Sequence, residues 1–186
     1  MKSMDAFLEE VRKIAYIDGP VQKHIDLSCA KGKKLALALG ANEKIVEAGT
    51  LLMDCVISRA IKENRLAEHV TMCLGKTNEL LSRSNLSTED KENIRYCVLE
   101  HHGAKKFYSL ESEICCNADC YRFASVEGFM YAVRYFREME FSDLVTLLKN
   151  KLEEKWDAIS LEQVRKELGP EYKVVKTLLS SLRVAP

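Results

Sequence analysis

A helix-period pattern of apolar residues runs almost unbroken through this 186-residue chain, and no other feature constrains its fold as strongly. Only three prolines and eight glycines punctuate it, and the strict polar–apolar alternation of half-buried strands is nowhere sustained. With 47% hydrophobic residues, the length suffices for one good core and is short for two. The expected fold is therefore all-α, a single-domain helical bundle.

Local signals place the helices. The first is expected from about Met4 to Ile17, stopped at Asp18-Gly19-Pro20, where proline can open the next. That helix carries His24 and ends near Leu39-Gly40. Asn42 caps a third, from Glu43 to about Ile61, and Asn64 to Ser84 makes a fourth. Ser87-Thr88-Glu89-Asp90 starts a fifth that ends at Glu100-His101-His102-Gly103. After a loop from Lys105 to Ser109, Leu110 to about Ala124 is the sixth. Further helices are predicted over Gly128 to Glu140, Phe141 to Asp157, Ser160 to Leu168 and Tyr172 to Arg183.

Charge and cysteine usage narrow the function classes. Lys+Arg and Asp+Glu both number 28, so no whole-chain field draws the protein to nucleic acid or acidic lipid, and neither is an expected partner. The N-terminus MKSMDAFLEEVRKIAYIDG builds no apolar run, so neither a signal peptide nor a membrane span is expected. Seven cysteines without disulfide-scaffold spacing suit a reducing cytoplasm. Cys116 and Cys120 stand four apart on one helix but form no Cys-x-x-Cys pair, and with Cys55 they read as small core residues. The aromatic run from Phe123 to Phe136 reads as helix packing, and Lys31, Lys33 and Lys34 as a solvated face. Lys149 to Trp156 is charged and amphipathic, so Leu148, Leu152 and Trp156 can dock on the bundle or on a second copy of the chain, which makes a homodimer a candidate assembly.

The functional signal is charge where the pattern demands burial. Asp54 sits inside Leu51-Leu52-Met53-Asp54-Cys55-Val56-Ile57, and Asp119 inside an equally apolar stretch. A buried carboxylate is costly unless a cation or strong donors meet it. A single such acid is more often met by an arginine or a hydroxyl than by a metal. Here, however, two acids accompany four histidines, His24, His69, His101 and His102, each group near an expected helix end. Imidazole with carboxylate suits first-row divalent ions.

In this order, His24, Met53-Asp54, His69, His101-His102 and Asp119 resemble the HD superfamily of metal-dependent phosphohydrolases over about residues 20–125. The texture between them is similar too: Lys23-His24-Ile25 with Ala36-Leu37-Ala38-Leu39-Gly40-Ala41, Glu47-Ala48-Gly49-Thr50-Leu51-Leu52 before the signature pair, and Ser109-Leu110-Glu111 before Asn117-Ala118-Asp119. The resemblance implies an HD-like core at about 20–125 with helices from about 126–186 packed on it. It further implies a Mn, Fe, Ni or similar ion held by His24, Asp54 and Asp119, with His69, His101 and His102 completing a second metal position or binding phosphate. Asp54, His69 and His101 would be catalytic, and Lys105 and Lys106 would receive a small phosphoester, a nucleotide being the expected one.

The chain departs from that family at the signature pair, where Met53 replaces a histidine by a thioether that binds such ions weakly. Val56 and Ile57 stand where a glycine and then a lysine often follow, and Arg59 is the nearest substitute cation. Two rivals therefore stay open: a degenerate HD domain that binds a nucleotide or a protein without turnover, and a structural adaptor in which a cationic side chain pairs Asp54.

Overall fold

Four of the helices begin where a short side chain satisfies their first N–H groups. The computed structural model describes residues 3–18 and 22–182. Asn42 accepts from the Lys44 and Ile45 amides, Ser87 from Asp90 and Ser125 from Gly128, while Ser109 and Ser112 form a reciprocal capping box. These caps open α3 (Glu43–Leu52), α6 (Thr88–Leu99), α8 (Val126–Tyr135) and α7 (Leu110–Ala124). The other helices are α1 (Met4–Asp18), α2 (Gln22–Leu39), α4 (Ile57–Lys62), α5 (His69–Ser82), α9 (Phe141–Ala158) and α10 (Glu162–Ser181). A 3-10 turn at Leu66–Glu68 precedes α5, and no strand forms among the described residues.

Four boundaries differ from the sequence expectation, one of them at α8, which spans Val126–Tyr135 rather than the predicted Gly128 to Glu140. The helix predicted over Glu43 to Ile61 breaks after Leu52 into successive turns, in which Cys55 N–H donates to Leu52 and Ile57 N–H to Asp54, before α4 resumes. Asp54 therefore lies on a turn between two helices. The helix predicted from Asn64 begins five residues later, and Asn64 itself has a left-handed φ of 55°, one that asparagine tolerates better than most residues. The segments Ser160–Leu168 and Tyr172–Arg183 are one helix that runs through Pro170. Val164, Leu168, Tyr172, Val175 and Leu179 form a single buried stripe across it, and their burial outweighs the backbone hydrogen bond that proline removes. The Gly19-Pro20 break, Arg183 and Pro186 lie outside the described residues.

Helix α7 is the axis of the molecule. It packs against α2, α3, α6, α8, α9 and α10, and from Ile114 to Ala124 every residue on it is buried. One hydrophobic cluster extends from Phe7 on α1 to Leu179 on α10 and draws residues from every helix but α4. Close approach to α7 requires glycine at two places. A Cβ on Gly49 of α3 would come within 2.5 Å of Cys115 Sγ and of Cys97 Cβ, and one on Gly128 would come within 2.2 Å of the Tyr121 carbonyl. No helix among the described residues is long and apolar enough to cross a membrane. The seven cysteines are free thiols, and Cys116 and Cys120 donate to backbone carbonyls.

Candidate metal centre

Because α7 is enclosed on all sides, Asp119 and Arg122, one turn apart on it, cannot reach bulk water and must find partners inside the protein. Arg122 Nη1 donates to Asp119 Oδ1 at 2.7 Å and also to Asp54 Oδ2. From α9, the buried Lys155 ammonium lies 2.6 Å from Asp119 Oδ2. Two buried carboxylates thus face two buried cations. Burial by itself would raise the pKa of Asp54, but the Arg122 charge overrides it and holds the carboxyl well below its ordinary range. Burial opposes ionisation of Asp119 likewise, and Lys155 and Arg122 overcome it. Both acids are carboxylates at any ordinary pH.

The second oxygen of Asp54 faces three imidazoles. His69 is the first residue of α5, while His101 and His102 lie on the turn that follows α6. Helix and turn ends expose carbonyls without intrahelical partners, and two of the rings use them. His69 Nδ1 donates to the Leu66 carbonyl at 2.8 Å, and His101 Nδ1 to Val98 at 2.7 Å. His102 Nδ1 meets Glu154 Oε1 at 2.9 Å. Lys155 Nζ is also 2.9 Å from that nitrogen and 3.2 Å from the same Glu154 oxygen, so His102 has two tautomers: Nδ1–H donating to Glu154, or Nδ1 accepting from Lys155 with the proton on Nε2. Burial lowers the His102 pKa, with Glu154 opposing, and Glu154 in turn is held well below its usual value, first by the bond to His102.

In the first tautomer every Nδ1 donates, the three Nε2 lone pairs are free, and they converge. The ligand atoms of His69, His101 and His102 all lie within 4.8 Å of one another. His69 Nε2 and His102 Nε2 are 3.0 Å apart, where two bare lone pairs repel unless a proton or a metal ion lies between them. Asp54 Oδ1 sits 3.6 Å from His69 Nε2 and 3.7 Å from His101 Nε2, too far for a hydrogen bond. Both Asp54 Oδ1 and His101 Nε2 are buried without a hydrogen-bond partner among the described residues. Anchored Nδ1 groups behind converging Nε2 atoms are the usual outer support of a metal site. Three converging imidazoles fit a first-row divalent ion such as Mn, Fe or Ni, and Asp54 Oδ1 flanks two of them.

The structure divides the residues singled out from the sequence into three groups. His69, His101, His102 and Asp54 come together. His24 and Asp119 border the same cavity but are otherwise engaged. His24 Nε2 donates to the Gly128 carbonyl at 3.0 Å, and burial, with the Arg122 charge adding to it, pushes its pKa down to about 4. Asp119 has both oxygens taken by Arg122 and Lys155, so a guanidinium stands between Asp54 and Asp119 where a shared ion was expected. Lys105 and Lys106 are exposed on the loop before α7. Lys105 borders a separate shallow hollow that shares only His102 with the main cavity. Arg59 is exposed and pairs with Glu63.

The sequence reading missed Arg122, Lys155 and Glu154. Arg122 carried a signal: it lies one helical turn beyond an acid already expected to need a partner. Lys155 carried another, since it continues the stripe Leu144, Leu148, Leu152 of α9 at helical spacing. That stripe docks on the bundle, as Trp156 does by stacking on Tyr172 with ring centres 4.1 Å apart.

Among known proteins, the chain matches no family model and no curated sequence. Two solved structures share its fold. The Lin1889 protein of Listeria innocua superimposes with a TM-score of 0.67 at 12% identity, over 97% of this chain and 96% of that one. A structural-genomics protein from Lactobacillus plantarum gives a TM-score of 0.71 at 15% identity, over 95% and 93%. At such identities the likeness establishes the all-α architecture over the whole chain.

Proposed function

We propose that this protein is a metal-dependent phosphohydrolase of the HD type, acting on a small phosphoester at one divalent ion held by His69, His101, His102 and Asp54. The observation that carries the reading is the convergence of three Nε2 lone pairs, each fixed by an acceptor behind its ring, beside an unpartnered oxygen of a buried carboxylate. Bound there, such an ion supplies Lewis acidity to a phosphoryl oxygen and acidifies water for attack.

The chain's own groups divide the remaining tasks. Asp54 contributes fixed negative charge, with Oδ2 held by Arg122 and Oδ1 left for the ion. Glu154 orients His102, as Leu66 and Val98 orient the other two rings. Arg122 takes the place of a second cation between Asp54 and Asp119, which matches the loss of a ligand at Met53. Its guanidinium borders the cavity, where its positive charge faces the phosphate of a bound ester. In the reaction a water oxygen bonds to phosphorus, the ester P–O bond breaks, and the water's protons are shared between the departing alcohol and phosphate.

A second reading has one specific observation in its favour. Arg122 and Lys155 saturate Asp119, which suits a domain that binds a phosphorylated ligand without turnover. Assay of the Mn-loaded protein against phenyl phosphate and nucleoside monophosphates separates the two. The hydrolase reading expects phosphate release that disappears in His101→Ala. Metal binding without release from any ester supports the binding module instead.

A further inference from the structure

The cavity over the metal centre has a charged floor and a greasy wall. Its volume is about 260 Å³, just under the roughly 300–1,000 Å³ of ordinary small-molecule sites. At the mouth Ile61, Leu66, Tyr135 and Met139 are 38–48% exposed although apolar, and Phe123 and Phe136 line the interior. Away from the floor, the polar groups of the lining are the Tyr135 hydroxyl and the Lys151 ammonium, the latter bonded to Glu154 at 2.7 Å.

This wall is poorly matched to a nucleotide. Ribose hydroxyls and base edges each need a donor or acceptor once water is excluded, and an apolar wall leaves them unpaired. An apolar group loses nothing there and gains by leaving water. We infer that the substrate is the phosphomonoester of an apolar alcohol, of about one ring or a short alkyl chain, with its phosphate on the His-Asp-Arg floor and its body between α4, α8 and α9. The inference rests on the phosphohydrolase reading for the phosphate end and on the lining for the rest. An ester of this type can be free or part of a lipid surface, and the small volume fits the free form.

Binding, measured apart from turnover, tests it. In calorimetric titrations of the full chain with Mn²⁺ present, hexylphosphonate should bind at least about tenfold tighter than methylphosphonate, since several methylenes leave water. The neutral rim variants Ile61→Asn and Met139→Gln, at exposed positions that folding tolerates, should shrink that preference severalfold, read as the ratio of the two affinities. Equal affinity for the two phosphonates, tighter binding of adenosine monophosphate than of hexylphosphonate, rim variants without effect, or cosedimentation with phosphatidic acid vesicles would each overturn the substrate class. A protein that prefers hexylphosphonate yet hydrolyses no ester would uphold the pocket and defeat the hydrolase reading alone.

Discussion

His101 Nε2 faces Asp54 Oδ1 across 3.7 Å inside the protein, and neither atom has a hydrogen-bond partner among the described residues. The imidazole cannot supply the missing proton, because its one N–H is given to the Val98 carbonyl. Asp54 is therefore a divided residue: one oxygen is fixed by the guanidinium of Arg122, 68 positions away, and the other is presented to the histidine cluster. The division leaves one oxygen of a buried carboxylate without a hydrogen-bond partner among the described residues, facing the histidine cluster.

Arg122 consequently carries structural weight. Arg122→Ala leaves Asp54 without a cation and Asp119 with Lys155 alone. Removing one partner of a buried ion pair typically costs about 3–5 kcal/mol. Urea unfolding should show a loss of that size, partly restored when Asp54→Asn is added. A loss below about 1 kcal/mol would mean that the network is solvated.

Glycine 128 gives a second test, because its neighbours are main chain. A Cβ there would lie 2.2 Å from the Tyr121 carbonyl oxygen and 2.7 Å from the Arg122 carbonyl group, none of which can rotate away. Gly128→Ala should destabilise the fold by about 1–3 kcal/mol or more, as overpacking does. Gly75→Ala in mid-α5, where a Cβ meets nothing within 4 Å, should instead stabilise it by about 0.5–1 kcal/mol. Equal effects would contradict the packing of α8 on the end of α7.

Acid lability should trace in part to His24. Its pKa, pushed from 6.5 down to about 4 by burial and then by Arg122, means that the folded state resists a proton that the unfolded state accepts. The contribution is intact above pH 6.5, falls as the pH drops and is fully lost near pH 4. At about 1.4 kcal/mol per pH unit, the loss is on the order of 3 kcal/mol. His24→Gln keeps a donor for the Gly128 carbonyl without titrating, so its stability should decline less between pH 7 and 4. Parallel curves for variant and wild type would contradict this.

Sequence and structure agree where the causes are local. Asn42, Ser87 and Ser109 mark helix starts because each caps amides within three residues of itself, and α7 runs from Leu110 to Ala124 as its pattern predicts. The break at Met53-Asp54 is not local: nothing in the apolar run distinguishes a turn from a helix until Arg122 is in place. Pro170 misleads for the same reason, since the stripe from Val164 to Leu179 overrides it. At the candidate site, the residue types were legible and their grouping was not. Asp119 and Asp54 invite a cation of some kind, but the choice between a metal and Arg122 with Lys155 depends on contacts between helices far apart in the chain.

The most direct test of the metal centre is calorimetric titration of the metal-free protein with Mn²⁺. The account predicts one ion per chain, with affinity lowered at least tenfold by His101→Ala and stoichiometry unchanged by His24→Gln. No binding, equal binding by His101→Ala, or two ions per chain in the wild type, where Arg122 already separates Asp54 from Asp119, would contradict it.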